Sequence, residues 1–252
     1  MATSSAAVIG STGLVGSSIL STLLALDTYN TVNTITRRAP KAASARLNAL
    51  VDTDTTKWAV ALADLKPTPA TVFSALGTTA AAAGGIANQW KIDHDLNVEL
   101  AKAAKAAGTR SYVFVSSGGT RSWFASRSPY ARMKNGVEDA IKELDFEHAI
   151  ILKPGLIMGQ REESRAAEGF AQTAVNLLGS VSAGLKNKLG QESEVIAKAA
   201  VRAAQLADEG KAPSKYWIIT ADEIIKLGQT EWPGKDAVAP PVAPEVAQAG
   251  TQ

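Results

Sequence analysis

The chain has 252 residues, of which 46% are apolar, so it is long enough and apolar enough to bury a sizeable core in one large domain. Its 26 Lys and Arg residues barely exceed its 24 Asp and Glu residues, which excludes the overall basic field that favours nucleic-acid binding. Cysteine is absent and only two histidines are present, which excludes disulfides and Cys-ligated metal, and we predict no metal site. No apolar run approaches the roughly 20 residues that cross a bilayer, and the first basic residue, Arg37, comes late for a targeting presequence.

The first predicted element is a strand at residues 6–9, followed by a glycine-rich turn and a helix through residue 24. The turn reads Gly10-Ser11-Thr12-Gly13-Leu14-Val15-Gly16. Gly10 permits a sharp turn, Gly13 lets backbone approach a phosphate, and Gly16 lets the helix pack closely on the strand. The first N–H groups of the helix and its positive dipole end would bind a pyrophosphate. A plain glycine-rich turn is the alternative, but a second predicted strand at 32–36 completes a βαβ unit and favours a nucleotide site.

Two basic residues, Arg37 and Arg38, end the second predicted strand, roughly 20 residues beyond the last glycine. Dinucleotide folds place here an acid that binds the ribose 2′-hydroxyl of NAD or an arginine that accommodates the 2′-phosphate of NADP. Since an arginine can fork onto a phosphate that a carboxylate would repel, we predict NADP(H) as the cofactor. A pair of solvated surface arginines is the alternative.

The middle of the chain predicts further alternation of strands and helices. Residues 41–57 are interpreted as a short helix and loop, and 58–62 as the third strand; Asp64 beyond it would contact adenine or, as we favour, cap a turn. The fourth strand, at 71–76, leads into a loop of small residues at 80–85, which should form the floor of the cofactor site because small side chains let the backbone approach a ligand. A helix at 88–107 contains His94, which is interpreted as a surface or packing residue.

The fifth strand, at 111–116, delivers Ser116 and Ser117 to the edge where open α/β sheets bind ligands. The next helix begins near Pro129 and carries Tyr130 and Lys134, which lie on one helical face. A tyrosine with a pKa of about 10 transfers protons poorly at neutral pH, and a neighbouring ammonium would lower that pKa. One serine would hold a substrate carbonyl oxygen while Tyr130 protonates it and hydride arrives from a nicotinamide. Tyr and Lys at this spacing are common by chance, but their position after the serines favours catalysis.

The later elements predicted from the sequence are a sixth strand, two helices, a last strand, a short helix and a disordered tail. They lie at residues 146–152, 166–178, 193–209, 216–220, 221–228 and 236–252. A charge cluster at 161–168 would be either a substrate-binding lid or a salt-bridged helix start.

These segments together resemble the short-chain dehydrogenase/reductases, and within them the branch of the HIV Tat-interactive protein and its fungal mitochondrial relatives. The resemblance covers most of the chain, from residue 6 to 232. The resemblance rests on six motifs: Gly-Ser-Thr-Gly-Leu-Val-Gly at 10–16, Ala-Leu-Gly-Thr-Thr at 75–79, Ser116 with Ser117, Tyr130 with Lys134, Leu-Lys-Pro-Gly at 152–155 and Gln-Arg-Glu-Glu-Ser-Arg at 160–165. The last two are the most specific.

The resemblance implies a Rossmann-type doubly wound, mainly parallel sheet with helices on both faces. Residues 1–235 would form a single NAD(P)-binding domain, with 159–193 on the substrate side. The implied cofactor-binding residues are Gly10, Ser11, Thr12, Gly13, Leu14, Val15, Gly16, Arg37, Arg38, Leu76, Gly77, Thr78, Tyr130, Lys134, Pro154 and Gly155. The implied catalytic residues are Ser117, Tyr130 and Lys134, with Ser116 as the alternative serine. Asn97 would match the asparagine that holds a relay water in many short-chain reductases, or be an ordinary polar residue.

The favoured function is an NADP(H)-dependent oxidoreductase acting on a small carbonyl or alcohol substrate. The alternatives are an NADP(H)-binding regulator or scaffold with a protein partner, and a ribose- or phosphate-binding domain without redox chemistry. Similarity to the fungal members implies peripheral association with the mitochondrial outer membrane; a cytoplasmic location is the alternative.

Overall fold

In the computed structural model, residues 4–158 and 190–233 are described, and they contain a seven-stranded parallel sheet. Most of its inner strands are buried throughout, as expected when helices cover both faces of a parallel sheet. In spatial order the strands are β3 (Leu47–Val51), β2 (Thr31–Thr36), β1 (Ser5–Ile9), β4 (Thr71–Ser74), β5 (Ser111–Val115), β6 (His148–Leu152) and β9 (Tyr216–Ile219). The predicted Rossmann-like fold class is confirmed.

Helices cover the two faces of this sheet. Their bounds are α1 (Leu14–Ala25), α2 (Trp58–Ala63), α3 (Ala80–Ala83), α4 (Ile86–Trp90), α5 (Asn97–Ala106), α6 (Pro129–Glu143), α7 (Ser193–Asp208) and α8 (Ala221–Ile225). A π-helical turn, Lys91–Leu96, joins α4 to α5. Helices α1 and α7 share one core cluster with Val8, whereas α2, α5 and α6 share the other with its neighbour Ile9. The alternation of side chains along β1 therefore serves both cores.

The strand order reverses between β1 and β4, and this reversal creates a crevice at the carboxyl ends of these two strands. The backbone of Ala75 donates a hydrogen bond to the carbonyl of Ile9 at 3.0 Å. A Cβ on Gly10 would lie 2.8 Å from the Ala75 carbonyl carbon. The glycine turn and the segment after β4 therefore meet at the place where doubly wound folds bind ligands.

The predictions for residues 41–62 were wrong. The third strand is β3, inside the segment interpreted as helix and loop, and the predicted strand at 58–62 is helix α2. Trp58, Ala59 and Leu62 are buried while Val60 is 64% exposed, a helical pattern that a five-residue apolar run hides. Asp64 consequently ends α2 instead of following a strand.

The remaining described elements agree with the predictions apart from their ends. The predicted helix at 88–107 is present as α4, the π turn and α5, and the small residues at 80–83 form α3. A short strand that was not predicted, β7 (Leu156–Met158), pairs in parallel with β8 (Gly190–Glu192). The predictions for 161–168, 166–178 and 236–252 lie outside the described residues. Within the described part of the chain, no helix combines the length and apolar character needed to cross a membrane.

Candidate functional site

The glycine turn closes tightly between β1 and α1. Gly10 has a φ of +80°, and a Cβ on Gly16 would lie 2.1 Å from the Gly10 carbonyl oxygen, so both positions require glycine. Helix α1 has Gly13 as its N-cap, makes no side-chain cap and carries no acid in its first turn. The hydroxyl of Ser11 is buried and has no hydrogen-bond partner among the described residues. The uncapped helix end and the orphaned hydroxyl fit the pyrophosphate of a dinucleotide.

Two exposed arginines, Arg37 and Arg38, follow β2 at the same edge of the sheet. The Thr36 hydroxyl donates to the carbonyl of Arg38 at 2.6 Å, which shapes this turn. The backbone of Asp52, which follows β3, donates to the Thr36 carbonyl at 2.9 Å. Asp52 is therefore the acid at the end of the third strand, where Asp64 was expected. Sequence reasoning missed it because β3 was interpreted as part of a loop.

The candidate catalytic tyrosine lies in the first turn of α6. The Ser128 hydroxyl caps this helix by accepting the Ala131 N–H at 3.2 Å, and Pro129 occupies the first helical position. Tyr130 is 42% exposed, and the Ser117 side chain lies close enough to lower the pKa of its phenol. The other serine, Ser116, is buried and donates to a carboxylate on the far side. Of the two serines, the fold brings Ser117 to Tyr130.

Lys134 lies one helical turn below Tyr130 and is only 5% exposed. Its Nζ donates to the Val115 carbonyl at 3.3 Å and lies 4.9 Å from the centre of the Phe114 ring. Burial lowers the pKa of Lys134, whereas the nearby carboxylates of Asp93 and Glu138 raise it. The ammonium is thus held at the end of β5 by a carbonyl, an aromatic face and two acids.

The pKa of Tyr130 differs from the sequence-based prediction. Burial raises it, the nearby Ser117 side chain lowers it, and the charge of Asp93 raises it further. The sequence predicts that the Lys134 ammonium lowers this pKa, but the charge that acts on the Tyr130 phenol is the negative charge of Asp93, which raises it. The physical reason is that Lys134 is directed to the Val115 carbonyl. The phenol is therefore protonated at neutral pH.

A buried carboxylate, Glu138, lies one turn beyond Lys134 on α6 and is fully inaccessible. It accepts hydrogen bonds from the Ser116 hydroxyl and from Arg121 Nε at 3.0 Å, and it forms an ion pair with Lys153 Nζ at 2.9 Å. Sequence reasoning missed this cluster, although an acid four residues after Lys134 on the same helical face was a usable signal. Glu138 joins the ends of β5 and β6 to α6.

The turns after β5 and β6 lie against each other. The Gly118 N–H donates to the Pro154 carbonyl at 2.7 Å, and a Cβ on Gly118 would lie 3.0 Å from that oxygen. The Gly155 N–H donates to the Gln191 side chain at 3.3 Å. Pro154 and Gly155 are thus brought beside Ser117, as the expected site requires.

Asn97 and His94 both have packing roles. The Asn97 amide donates to the carbonyls of Ile92 and Asp93 at 3.1 and 3.3 Å, and its oxygen accepts from the Ser74 hydroxyl at 2.8 Å. Asn97 therefore ties the π turn to the end of β4. His94 stacks at 5.0 Å from Trp90 and packs against Gly136, in agreement with the prediction of a surface or packing residue.

An open depression of about 530 Å³ lies at the opposite, amino-terminal edge of the sheet. Two of its lysines are already engaged: Lys105 donates to the Asp145 carbonyl at 2.6 Å, and Lys215 pairs with the Asp145 carboxylate. It is separate from the crevice that holds the glycine turn and Tyr130.

The fold and this crevice define a dinucleotide-binding Rossmann protein with Ser, Tyr and Lys side chains gathered at the carboxyl edge of the sheet. Residues 6–216 match the model of the NAD dependent epimerase/dehydratase family. The chain belongs to this family and, within it, to the group of fungal mitochondrial FMP52 proteins.

Two curated relatives illustrate that membership. Protein fmp52-2, mitochondrial, of Aspergillus oryzae is 57% identical over 90% of this chain and 98% of its own length. Protein fmp-52, mitochondrial, of Neurospora crassa is 58% identical over 90% of this chain and 96% of its own length. The resemblance to the HIV Tat-interactive protein stays an expectation.

Solved structures share the fold at low sequence identity. MoeE5 in complex with UDP-glucose and NAD has a TM-score of 0.63 at 16% identity, covering 90% of this chain and 81% of its own. The UDP-glucuronic acid 4-epimerase of Bacillus cereus in complex with NAD has a TM-score of 0.59 at 15% identity, covering 86% of this chain and 77% of its own. Both neighbours were solved in complex with NAD.

Proposed function

We propose that this protein is an NADP(H)-dependent oxidoreductase of the short-chain dehydrogenase/reductase type that acts on a small carbonyl or alcohol substrate. The observation that carries the proposal is the placement of Ser117 beside Tyr130, one helical turn above the buried Lys134. This group lies at the same sheet edge as the uncapped start of α1. Family membership supports the same class of chemistry.

In this proposal each of the three side chains has one task. Ser117 donates a hydrogen bond to the substrate carbonyl oxygen and holds it beside Tyr130. Tyr130 gives its phenolic proton to that oxygen as negative charge develops there. Lys134, one helical turn away, would stabilise the phenolate that remains by turning toward it from the Val115 carbonyl. The exposed edge of Tyr130 lets solvent return the proton. When bound, the nicotinamide dinucleotide supplies the hydride, or accepts it in the reverse direction.

The residues proposed to hold the cofactor surround the crevice between β1 and β4. The turn at 10–16 would bind the pyrophosphate, and Arg37 and Arg38 the 2′-phosphate. The backbone at 76–78 and the turn at Pro154 and Gly155 would lie along the nicotinamide half.

Replacing both Arg37 and Arg38 with alanine is expected to weaken NADPH binding by about tenfold or more, or roughly 1.4 kcal/mol, because charge-assisted contacts to the 2′-phosphate are lost. NADH binding should change little, since NADH has no 2′-phosphate. Calorimetric titration of both cofactors measures the two dissociation constants. Arg110→Ala, in an exposed ion pair with Asp208 away from the crevice, is the control. Equal losses for NADPH and NADH would contradict a phosphate contact.

We also propose that the protein associates peripherally with the mitochondrial outer membrane through an aromatic surface formed by Trp123, Phe124 and Arg127. Trp123 and Phe124 are 72% and 84% exposed, and their rings lie 5.6 Å apart. Arg127 lies 5.0 Å from the Trp123 ring. Residues 122–132 contain two arginines and no acid, which suits an anionic lipid surface. Tryptophan and phenylalanine beside cations are typical of membrane interfaces.

The double variant Trp123→Ala with Phe124→Ala is expected to weaken binding to anionic vesicles by at least about tenfold, since each aromatic side chain contributes on the order of 1.5 to 3 kcal/mol when buried. Vesicle co-sedimentation, with neutral phosphatidylcholine vesicles in parallel, measures the loss. Val60→Ala, at an exposed apolar position of α2, is the matched control. Retained binding in the double variant would assign membrane contact to another surface.

A further inference from the structure

A second buried acid, Asp93, connects the proposed cofactor segment to the catalytic lysine. It lies in the π turn between α4 and α5 and is 1% exposed. One carboxylate oxygen accepts the Thr78 N–H at 2.7 Å, and the other accepts the Gln89 amide at 3.2 Å. Each carboxylate oxygen of Asp93 therefore accepts one hydrogen bond from a group other than Lys134.

Asp93 and Lys134 approach the same point on the backbone. A Cβ on Gly77 would lie 3.7 Å from Asp93 Oδ1 and 3.8 Å from Lys134 Nζ. The acid and the ammonium therefore both line Gly77, in the middle of the segment proposed to contact the cofactor. A carboxylate with two N–H donors and a neighbouring ammonium is favoured in its ionised form, although burial raises its pKa.

The other charged groups around Tyr130 and Lys134 are already paired. Glu138, on α6, is neutralised by Arg121 from the segment after β5 and by Lys153 from the end of β6. Asp95 points away and pairs with His94 at 2.8 Å. In the π turn between α4 and α5, Asp93 carries the charge that acts on both Tyr130 and Lys134.

We infer that Asp93 is a positioning residue, whose carboxylate holds the Gly77–Thr78 backbone beside the Lys134 ammonium, on the helix that carries Tyr130. This inference rests on the proposed catalytic role of Tyr130. The negative charge of Asp93 opposes formation of the phenolate and favours the protonated ammonium. Removing the charge should therefore lower the pKa of both groups.

The test replaces Asp93 with asparagine, which removes the charge and keeps an acceptor for the Thr78 N–H, while its NH2 group takes the place of the oxygen that accepts from Gln89. Tyrosine labelled with ¹³C at Cζ in the full chain reports each phenol by NMR as the pH is raised, and Tyr130→Phe assigns the Tyr130 signal. Burial raises the pKa of the other three phenols as well, to about 12 for Tyr29 and Tyr216 and also upward for Tyr112. We expect Asp93→Asn to move the Tyr130 midpoint to lower pH.

Asp95→Asn is the matched control, because it removes an exposed acid two positions away on the same turn. It should leave the Tyr130 midpoint where the unmodified protein has it. An unmoved midpoint in Asp93→Asn, or an equal shift in Asp95→Asn, would overturn the inference. The titration needs no substrate, so its outcome does not depend on whether the protein is an enzyme. The proposed function is tested by turnover instead, and it fails if the unmodified protein reduces no carbonyl compound. In the active enzyme, the basic limb of the kcat/KM profile should move to lower pH with the same substitution.

Discussion

Tyr130→Phe is expected to lower the kcat for carbonyl-dependent NADPH oxidation by about 10²- to 10⁴-fold, the usual contribution of a positioned acid. The substitution removes only the phenolic hydroxyl, so the ring packing at the start of α6 is retained. The dissociation constant for NADPH should stay unchanged, because the proposed phosphate and ribose contacts lie on other elements. Steady-state kinetics and calorimetry on the same preparation measure the two quantities.

Tyr29→Phe is the matched control for that substitution. Tyr29 is buried and donates to the Thr71 hydroxyl at 3.1 Å, at the opposite edge of the sheet, so its loss should leave kcat unchanged. An unchanged kcat in Tyr130→Phe would contradict the proposed mechanism. If the unmodified protein binds NADPH but turns over no carbonyl substrate, the function is that of an NADP(H)-binding regulator. Binding to its protein partner would then follow cofactor occupancy and would not depend on the Tyr130 hydroxyl.

Glu138→Ala is expected to destabilise the fold by about 3 to 5 kcal/mol, since it leaves the largely buried Lys153 ammonium without its partner. The side chain of Lys153 is 14% exposed and that of Glu138 is fully buried, so water cannot replace the lost carboxylate easily. The hydroxyl of Ser116 also loses its acceptor. Urea unfolding followed by circular dichroism measures the free energy of unfolding.

Glu143→Ala is the control, because Glu143 is exposed near the end of the same helix and should change the free energy of unfolding by no more than about 0.5 kcal/mol. Glu138→Gln should lie between the two, since the amide keeps a hydrogen-bond acceptor but loses the charge. A loss below about 1 kcal/mol in Glu138→Ala would contradict a central structural role for this cluster. The result also bears on the site, because Ser116 and Lys153 lie next to Ser117 and Pro154 in the chain.

Several features were predictable from sequence because they depend on neighbours in the chain. The glycine turn requires only that a strand precede it and a helix follow, and the Cβ contacts at Gly10 and Gly16 agree with the reasons given for those glycines. Tyr130 and Lys134 share a face because α6 is a regular helix that begins at Pro129. The strand at 47–51 and the helix at 58–63 were not predictable from periodicity, since a five-residue apolar run is compatible with either a strand or a helix.

What the sequence by itself determined is the class of fold, the glycine turn between β1 and α1 and the basic end of β2, since each follows from local spacing and residue type. Only the tertiary structure decided which serine meets Tyr130, because Ser116 and Ser117 differ in direction and not in chemistry. It also brought Asp93 from the π turn to Lys134, and Lys153 from β6 to Glu138. Such contacts join distant parts of the chain through the packing of helices on the sheet, and this packing leaves no periodic signal in the sequence.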